Sequence, residues 1–160
     1  MTSDLDERIE TLATWMYEAR HLVVFTGAGI STESGLPDFR GPDGVWTRRA
    51  KGLPTERGDF SGAEPNEGHR AIAELLRVAK LGFLISQNID NLHLKSGIPR
   101  ELLAELHGNL ATLRCTQCGR EMDKVDAADR CSCGGTLVSS VVDFGQSLPA
   151  KDLADSFEHS

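Results

Sequence analysis

The stretch LVVFTGAGIS, residues 22–31, decides the fold. Its apolar run from Leu22 to Phe25 ends in a glycine-rich turn, which predicts a strand buried on both faces. Gly27 and Gly29 let the backbone come close to a ligand, and exposed amides there can bind phosphate oxygens. The spacing departs from the G-x-G-x-x-G pattern because Thr32 stands at the third glycine position. The turn alone therefore leaves nucleotide binding and a plain strand-to-loop connection both open.

The segment after this turn combines charge with aromatic side chains. It reads GAGISTESGLPDFRGPDGVW over residues 27–46. Asp38, Phe39 and Arg40 offer a carboxylate, an aromatic face and a cation side by side, which suits a charged heteroaromatic ligand. The surrounding residues 35–68 are dense in glycine, proline and charge. Because so long a stretch exceeds a mere connection, we expect a functional loop or a partly helical insertion.

The remaining apolar patterns alternate between helix and strand, which indicates a parallel sheet with helices on its faces. The predicted elements are an amphipathic helix over 5–19 capped by Ser3, a helix over 67–80, a buried strand over 83–86, a short helix over 100–106, a strand over 110–113, a strand over 138–144 and a helix over 150–159. We expect the first helix to dock on another element. The last helix has no predicted strand to pack against, so part of the sheet edge and its apolar face should stay uncovered.

Polar residues crowd behind the strand over 83–86, in the sequence Ser86-Gln87-Asn88-Ile89-Asp90-Asn91, with His93 close behind. Open α/β sheets bind ligands at the carboxyl ends of their strands, so these residues are candidates for a site. The alternative is that Asn88 and Asp90 cap the next turn. His107 is open in the same way, because a lone histidine at a helix end is often a structural hydrogen-bonding residue rather than a base.

All four cysteines lie in one short segment with the spacing C-x2-C-x12-C-x-C. Two close thiol pairs separated by a short hairpin suit tetrahedral Zn²⁺, and neighbouring glycines supply the tight turns. Four protein ligands leave no open position, so we expect a structural metal and not a catalytic one. A disulfide pair is the alternative, which an intracellular location disfavours. The predicted ligands are Cys115, Cys118, Cys131 and Cys133.

Length and composition limit the class of protein. The chain has 160 residues, 39% hydrophobic and 26% charged, which indicates one globular domain or one domain with a small insertion. The net charge is -7 without a basic cluster, so we expect no direct binding of nucleic acid. The apolar runs are far too short to cross a bilayer, and the polar start lacks the layout of a signal peptide. We therefore expect an intracellular protein, in the cytoplasm or, in a eukaryotic cell, the nucleus, with no membrane partner.

Taken in order, GAGISTESGLPDFRGPDGVW, SQNIDNLHLKSG, ELHGN and the four-cysteine module resemble the motifs of the sirtuins, which are NAD-dependent protein lysine deacylases. The matching motifs cover residues 22–149. The resemblance implies an α/β fold, with a Rossmann-like parallel sheet that is incomplete in this chain and a small zinc-binding module. Residues 1–112, with an insertion at about 36–66, would form the first part of the Rossmann-like domain. Residues 113–139 would form the zinc-binding module, and residues 140–160 would return to the Rossmann-like domain.

The resemblance also implies roles for individual residues. NAD would be bound by Gly27, Ala28, Gly29 and Thr32 at the diphosphate and ribose, by Asp38, Phe39, Arg40 and Trp46 in the mobile loop, and by Gln87 and Ile89 at the nicotinamide end. The catalytic residues would be His107, Asn88 and Asp90. The substrate peptide would pair with a strand that contains Val142, Phe144 and Gly145.

The implied reaction uses NAD as a co-substrate. The acyl oxygen of the substrate lysine attacks the ribose carbon as nicotinamide departs, and the acyl group ends on ADP-ribose. A histidine acts as general base on the ribose hydroxyls, a role that suits an imidazole because its unperturbed pKa is about 6.5. We therefore expect an NAD-dependent protein lysine deacylase, or a mono-ADP-ribosyl transferase, that acts on acyl-lysine proteins or peptides.

One departure from the sirtuin pattern bears on activity. The family core continues into a second phosphate-binding loop and an Asn-bearing strand, neither of which these 160 residues contain. The chain by itself is thus expected to hold one half of a dinucleotide site and to bind NAD weakly. The alternative function is a non-catalytic, zinc-stabilised module that binds an acyl-peptide or ADP-ribose. A zinc-ribbon nucleic-acid binder is disfavoured by the net charge of -7.

Overall fold

The computed structural model describes residues 4–55, 58, 60–143 and 145–160. Short 3₁₀ helices cover Ala28–Ser34, Arg100–Leu102 and Lys124–Asp126. The other elements, in chain order, are α1 (Asp4–Glu18), β1 (Leu22–Thr26), α2 (Val45–Ala50), α3 (Glu67–Arg77), β2 (Leu81–Ser86), α4 (Leu92–Lys95), β3 (Leu103–Glu105), β4 (Thr112–Cys115), β5 (Glu121–Asp123), β6 (Leu137–Ser139) and α5 (Ala150–His159). Within these ranges, no helix is long and apolar enough to cross a membrane.

A parallel three-stranded sheet in the order β1-β2-β3 forms the centre of the molecule. Side chains of β2 alternate between its two faces, as the pleat of a strand requires. Leu84 packs with Ile72 of α3 on one face, whereas Phe83 and Ile85 pack with Leu153 of α5 on the other. The predicted α/β fold with a parallel sheet and helices on its faces is therefore confirmed.

The third parallel strand lies where the sequence analysis placed a helix. Residues 103–105 form β3, and only Arg100–Leu102 is helical, so the predicted helix over 100–106 was wrong. A short apolar run does not by itself distinguish a buried strand from a helix, and the neighbouring β2 decides it here by pairing Leu84 with Leu103. The predicted third strand over 110–113 overlaps β4, which instead belongs to a separate antiparallel sheet in the order β5-β4-β6. The strand predicted over 138–144 is limited to β6, and Phe144 lies outside the described residues.

The start of the chain is more exposed than its pattern predicts. The expected burial of β1 on both faces was wrong, since Phe25 is 59% exposed. Among the described residues β1 is an edge strand that pairs only with β2, which leaves one side of it open. The expected docking of α1 was also wrong, because all its residues are described and none is buried. The predicted cap Ser3 lies outside the described residues.

The helix at the other end packs on the sheet, so the expectation that it would find no strand was wrong. Leu153 contacts the apolar cluster around Phe83, and the His159 ring stacks on the Phe83 ring at a centroid distance of 4.1 Å. Asp152 accepts a hydrogen bond from the backbone N–H of Glu105 at 2.9 Å. Part of the apolar surface nevertheless stays open, because Phe157 is 76% exposed.

The segment between the first two strands of the sheet contains short helical pieces, as the alternative of a partly helical insertion predicts. Helix α2 lies within it, and α3 begins at its end. Asn66 caps α3 by accepting hydrogen bonds from the N–H groups of Gly68 and His69. The helix ends at Arg77, three residues earlier than predicted, and Ala79 then has a left-handed φ of 55°.

Candidate functional site

The candidate site lies at the carboxyl ends of the three parallel strands. Thr26, Ser86 and Glu105 are aligned in register as the last residues of β1, β2 and β3. The glycine turn, the polar segment Gln87–Asp90 and His107 therefore leave the same edge of the sheet. This is the edge at which open α/β sheets bind ligands.

The glycine turn has an open surface at Gly29 and lies beside the segment that follows β2 at Gly27. Gly27 is extended, with φ of -141°, and precedes the 3₁₀ helix over 28–34. A side-chain carbon at Gly29 would meet no described atom within 4 Å, so this position leaves room for a ligand. A carbon at Gly27 would lie 3.8 Å from the side-chain oxygen of Gln87. The exposed Thr32 donates a hydrogen bond to the carbonyl of Gly29 at 2.9 Å, so its hydroxyl supports the turn itself.

Asn88 and Asp90 meet in a buried hydrogen-bond network around Ser31. The Ser31 hydroxyl donates to Oδ2 of Asp90 at 2.6 Å, and Nδ2 of Asn88 donates to the Ser31 oxygen at 3.0 Å. Asp90 Oδ1 also accepts from the N–H of Leu92 at 2.9 Å, so the alternative of a capping role holds for this residue as well. Because the network joins the glycine turn to the end of β2, it fixes the floor of the site.

A second layer of buried polar groups supports this floor. The Thr26 hydroxyl donates to Ser86 Oγ at 3.0 Å and lies 2.9 Å from His93 Nε2. The rings of His69 and His93 lie 5.0 Å apart. Burial, followed by the neighbouring His69, lowers the pKa of His93 to about 4, and burial also lowers the pKa of His69. Both imidazoles are therefore neutral at neutral pH.

His107 is half-buried at the turn that follows β3. Its Nδ1 lies 2.8 Å from the carbonyl oxygen of Gln87, and its own carbonyl accepts from the N–H of Val142 at 2.9 Å. A carbonyl oxygen can only accept, so in the neutral ring Nδ1 carries the proton and Nε2 is the basic nitrogen. Gly108, with φ of 73°, makes the turn possible, since a side-chain carbon there would lie 2.1 Å from the Ser140 carbonyl oxygen.

The aromatic loop after the glycine turn is held in a defined arrangement. The Phe39 and Trp46 rings lie 5.2 Å apart, and the Arg40 guanidinium lies 4.8 Å from the centre of the Trp46 ring. The Asp38 carboxylate accepts from the N–H of Gly41 at 3.0 Å, so it stabilises the loop that carries the other three. The structure thus brings Phe39, Arg40 and Trp46 together, all of them exposed to solvent.

The remaining predicted residues occupy the rim. Ile89 is half-buried, and its carbonyl accepts from the N–H of Leu110 at 2.8 Å. Ala28 is half-buried in the first turn of the 3₁₀ helix. Val142 lies beside His107 through its backbone hydrogen bond, whereas the exposed Gly145 has a φ of 86° in a turn. Phe144 lies outside the described residues.

Several residues of the site were missed by the sequence analysis. Ser31 was given no role by the sequence analysis. Its place close behind the glycine pair was the available signal, because a hydroxyl there can contact the end of the neighbouring strand. Glu105 and Asn109 flank His107 and are both buried, and a carboxylate two residues before a candidate base was the available signal. His69 lies in the first turn of α3, where it forms a capping box with Asn66, and no pattern in the sequence connects it with the site.

The four cysteines form a candidate metal centre in the antiparallel sheet. Their sulfur atoms all lie within 4.8 Å of one another, with Cys115 3.5 Å from Cys133 and Cys118 3.7 Å from Cys131. Sulfurs around tetrahedral zinc, at Zn–S of about 2.3 Å, are separated by about 3.8 Å. A disulfide requires about 2.05 Å, and all four thiols are free, so the disulfide alternative was wrong.

The loops of this centre suit thiolate ligands. Backbone hydrogen bonds from Cys118 and Gln117 lower the pKa of Cys115, and a backbone hydrogen bond from Cys133 lowers that of Cys131, which favours the thiolate form of the two buried sulfurs. Gly135 is required for space, because a side-chain carbon there would lie 2.5 Å from the sulfur of Cys115. The donor set of four sulfurs, with two ligands buried and two exposed, fits a closed structural zinc site.

Fold and site together define an α/β protein with a Rossmann-like parallel sheet, a polar site at the strand ends, and a four-cysteine module after the third strand. The model of the Sir2 family matches residues 27–61 and 55–160. This chain belongs to the Sir2 family, which confirms the resemblance inferred from its motifs.

The relatives that this chain resembles include proteins named NAD-dependent protein deacetylases. NAD-dependent protein deacetylase SRT1 of Oryza sativa subsp. indica is 47% identical over 163 residues, which cover 93% of this chain and 34% of that protein. NAD-dependent protein deacetylase 1 of Bradyrhizobium diazoefficiens is 38% identical over 181 residues, which cover 96% of this chain and 71% of that protein. The chain therefore spans about a third of the length of the rice relative.

Solved structures agree with the fold. The crystal structure of a Sir2 homologue in complex with NAD matches with a TM-score of 0.67 and 34% identity, over 94% of this chain and 67% of that chain. A Sir2 structure with a p53 peptide and NAD+ matches with a TM-score of 0.67 and 29% identity, over 94% of this chain and 70% of that chain.

Proposed function

We propose that this chain carries the catalytic site of an NAD-dependent protein deacetylase, which transfers the acyl group of an acyl-lysine to ADP-ribose and releases nicotinamide. The observation that carries the proposal is the placement of His107. Its Nδ1 lies 2.8 Å from the carbonyl oxygen of Gln87, which leaves Nε2 as the basic nitrogen. Gln87 directly precedes Asn88, which together with Asp90 forms the polar floor. The relatives named as NAD-dependent deacetylases support the same function.

NAD would lie along the carboxyl edge of the sheet. In this arrangement the backbone of Gly27, Ala28 and Gly29 binds the diphosphate, because this turn is open and begins a helix. Thr32 completes the turn. The exposed group of Phe39, Arg40 and Trp46 covers the cofactor, with Asp38 holding their loop. Gln87 and Ile89 border the nicotinamide end.

The protein residues then perform the proton transfer and the positioning. His107 Nε2 accepts a proton from a ribose hydroxyl, a step for which an imidazole is suited near neutral pH. Asn88 and Asp90 shape the pocket for nicotinamide, and their hydrogen bonds with Ser31 keep them rigid. Such preorganisation places polar groups where charge develops during the reaction.

The acyl-lysine substrate would approach along residues 142–145. The N–H of Val142 donates a hydrogen bond to the His107 carbonyl. An extended peptide paired beside Val142 would therefore bring the peptide's acyl-lysine near His107. Val142 and Gly145 are the described residues proposed to bind it, with Phe144 as a further predicted contact. Zinc on Cys115, Cys118, Cys131 and Cys133 would hold the neighbouring module rigid. We infer a reducing compartment, the cytoplasm or a eukaryotic nucleus, because the site needs free thiols.

A second function is favoured by the size of the sheet. The described residues form three parallel strands, which is one half of a dinucleotide site. A module of this kind would bind an acyl-peptide or ADP-ribose without turnover.

Nicotinamide release separates the two functions. With NAD and an acetylated peptide, a deacetylase releases nicotinamide only when the peptide is present, whereas a binding module releases none.

Where turnover is measured, His107→Ala should lower the rate by roughly 10² to 10⁴, the usual contribution of a positioned base. Peptide affinity should change little. His21→Ala is the matched control, because His21 is exposed just before β1, at the other end of the strand from the site, and its loss should leave the rate unchanged. Near-normal turnover by His107→Ala would remove His107 from the mechanism.

A further inference from the structure

Glu105 is a buried carboxylate that the proposed reaction does not use. It is the last residue of β3, 7% exposed, and lies two residues before His107. A carboxylate is costly to bury, so its partners decide whether it serves the fold alone or the site as well.

The side chain and backbone of Glu105 together contact three parts of the molecule. Its Oε1 accepts from Nδ2 of Asn109 at 2.6 Å, and its Oε2 lies 3.6 Å from Nη1 of Arg100. Nη2 of the same arginine donates to Asp123 of β5 at 3.0 Å. The backbone N–H of Glu105 donates to Asp152 of α5. Glu105 therefore lies where β3, the cysteine module and α5 meet.

Asn109 holds the chain in place after His107 through its own hydrogen bonds. Its side chain is 1% exposed, and besides Glu105 its Nδ2 donates to Oδ1 of Asn91 at 2.9 Å. Its Oδ1 accepts from the N–H of Ala111 at 2.7 Å, and its carbonyl accepts from the hydroxyl of Ser140 at 2.9 Å. The turn at His107 is thus fixed on both sides, by Glu105 before it and by Asn109 after it.

We propose that Glu105 is a positioning residue for His107, whose side-chain oxygen accepts a hydrogen bond from Asn109 across the turn and so keeps the imidazole against the Gln87 carbonyl. This inference rests on the proposed function, since that function gives His107 its role. A glutamine at this position offers an oxygen acceptor of the same reach, so the positioning requires the acceptor, and the charge of Glu105 serves as its spectroscopic label.

Burial and the neighbouring charged groups together set the pKa of Glu105. Burial raises the pKa of Glu105 to about 7, against the Asn109 hydrogen bond and the positive charge of Arg100, which lower it. Glu121 of β5 and Asp152 of α5 raise it further. Arg114 and Lys151 face Glu121 and lower the pKa of that carboxyl, whose own shift is upward because of burial.

Nuclear magnetic resonance on the zinc-loaded chain tests the inference without any need for turnover. The Asn109 side-chain amide should shift with a midpoint near pH 7 in the wild type. It should shift in the same way in His107→Ala, which shows that the histidine is not the source. In Glu105→Gln the oxygen acceptor is kept and the charge is lost, so the shift should vanish. Glu121→Gln is the matched control and should keep the titration, because Glu121 belongs to the same cluster and makes no contact with Asn109 that the structure shows.

The tautomer of His107 gives the second readout. Nitrogen shifts should report protonated Nδ1 in the wild type and in Glu105→Gln, and a mixture of tautomers in Glu105→Ala. If Glu105→Ala does not fold, Glu105→Asp takes its place, because the shorter side chain withdraws the acceptor from Asn109 and should give the same mixture of tautomers. An Asn109 titration that persists unchanged in Glu105→Gln would overturn the proposal, as would an unchanged tautomer in a folded Glu105→Ala.

Turnover separates this inference from the proposed function. If the wild type releases nicotinamide, Glu105→Ala should lower kcat roughly 10- to 100-fold, with KM for NAD changed by less than about twofold, since misplacement of a catalytic group acts on the chemical step. Glu105→Gln should restore most of kcat at pH 8. If the wild type shows no release, the proposed function fails, while the two spectroscopic results still test whether Glu105 positions His107.

Discussion

Individual residues in this site have protonation states that burial sets. His93 contacts the Thr26 hydroxyl at 2.9 Å and faces His69. Burial disfavours a positive charge on either ring. Within the described part of the chain, Nε2 of His69 and Nδ1 of His93 are buried without a hydrogen-bond partner. The second layer, which supports the floor formed by Asn88 and Asp90, therefore contains two neutral imidazoles.

His93 should make stability depend on acid pH. Its folded pKa of about 4 lies below the unfolded value of about 6.5, so the unfolded chain binds more protons between these limits. Stability should be complete above about pH 6.5 and fall as the pH approaches 4, by up to about 3 kcal/mol. Urea unfolding of the wild type and of His93→Gln at several pH values measures the difference. An equal acid dependence in both proteins would show that His93 is not its source.

Glu105 should contribute in the opposite direction. Its folded pKa of about 7 lies above its ordinary value of 4.5, so the folded protein binds more protons between these limits. Stability from this group is complete below about pH 4.5 and is lost as the pH rises to about 7. Relative to the wild type, Glu105→Gln should therefore become more stable between pH 4 and pH 8, by up to about 3 kcal/mol.

Denaturant unfolding at both pH values checks this prediction. Glu101→Gln is the control for the loss of one negative charge, because Glu101 is an exposed carboxylate in the same segment. A Glu105→Gln variant that loses stability relative to the wild type as the pH rises would contradict the burial argument.

At the scale of elements, the sequence indicates which segments carry the site better than it indicates which segments pack together. The end of β2 and the glycine turn were predictable, because an apolar run followed by polar or glycine residues is typical of a strand that ends at a ligand site. The strand β3 was not predictable, since the three residues Leu103–Glu105 are too few to show a hydrophobic periodicity and form a strand only by pairing with β2. The hydrogen bond of Ser31 with Asp90, 59 residues apart, arises only when β1 and β2 pair.

The cysteine module should depend on its metal for folding. Its strands are three or four residues long, and its exposed Val125 and Val138 show how little apolar surface it buries. Zinc binding at such sites contributes on the order of 10 kcal/mol or more, which is large beside ordinary domain stability. Cys131→Ser should therefore release zinc and lower the melting temperature.

Elemental analysis and calorimetry measure the two effects. Ser132→Ala is the matched control, because Ser132 is an exposed neighbour that offers no sulfur, and it should retain one zinc per chain. Absence of zinc from carefully prepared, reduced wild-type protein would contradict a structural metal at these cysteines.

At the scale of the whole molecule, one half of a dinucleotide site is present among the described residues. The sheet has three strands, its edge strand β1 exposes Phe25, and α1 exposes Leu5, Ile9 and Leu12 by more than half. A dinucleotide is bound across two such halves in a Rossmann-like sheet. These 160 residues should therefore bind NAD far more weakly than a chain that also supplies the remaining strands, which calorimetric titration of both polypeptides would measure.

Amide chemical-shift mapping during a titration with NAD locates the site directly, even when binding is weak. The amides of residues 27–29, of Gln87 to Asp90 and of His107 should shift together and reach saturation at millimolar NAD, while those of the cysteine module stay unchanged. Adenosine diphosphate, which lacks the nicotinamide ribose, should shift the glycine turn and leave His107 unmoved. Shifts that avoid the carboxyl edge of the sheet, or none at millimolar NAD, would contradict the assignment of this edge as the NAD and deacetylation site.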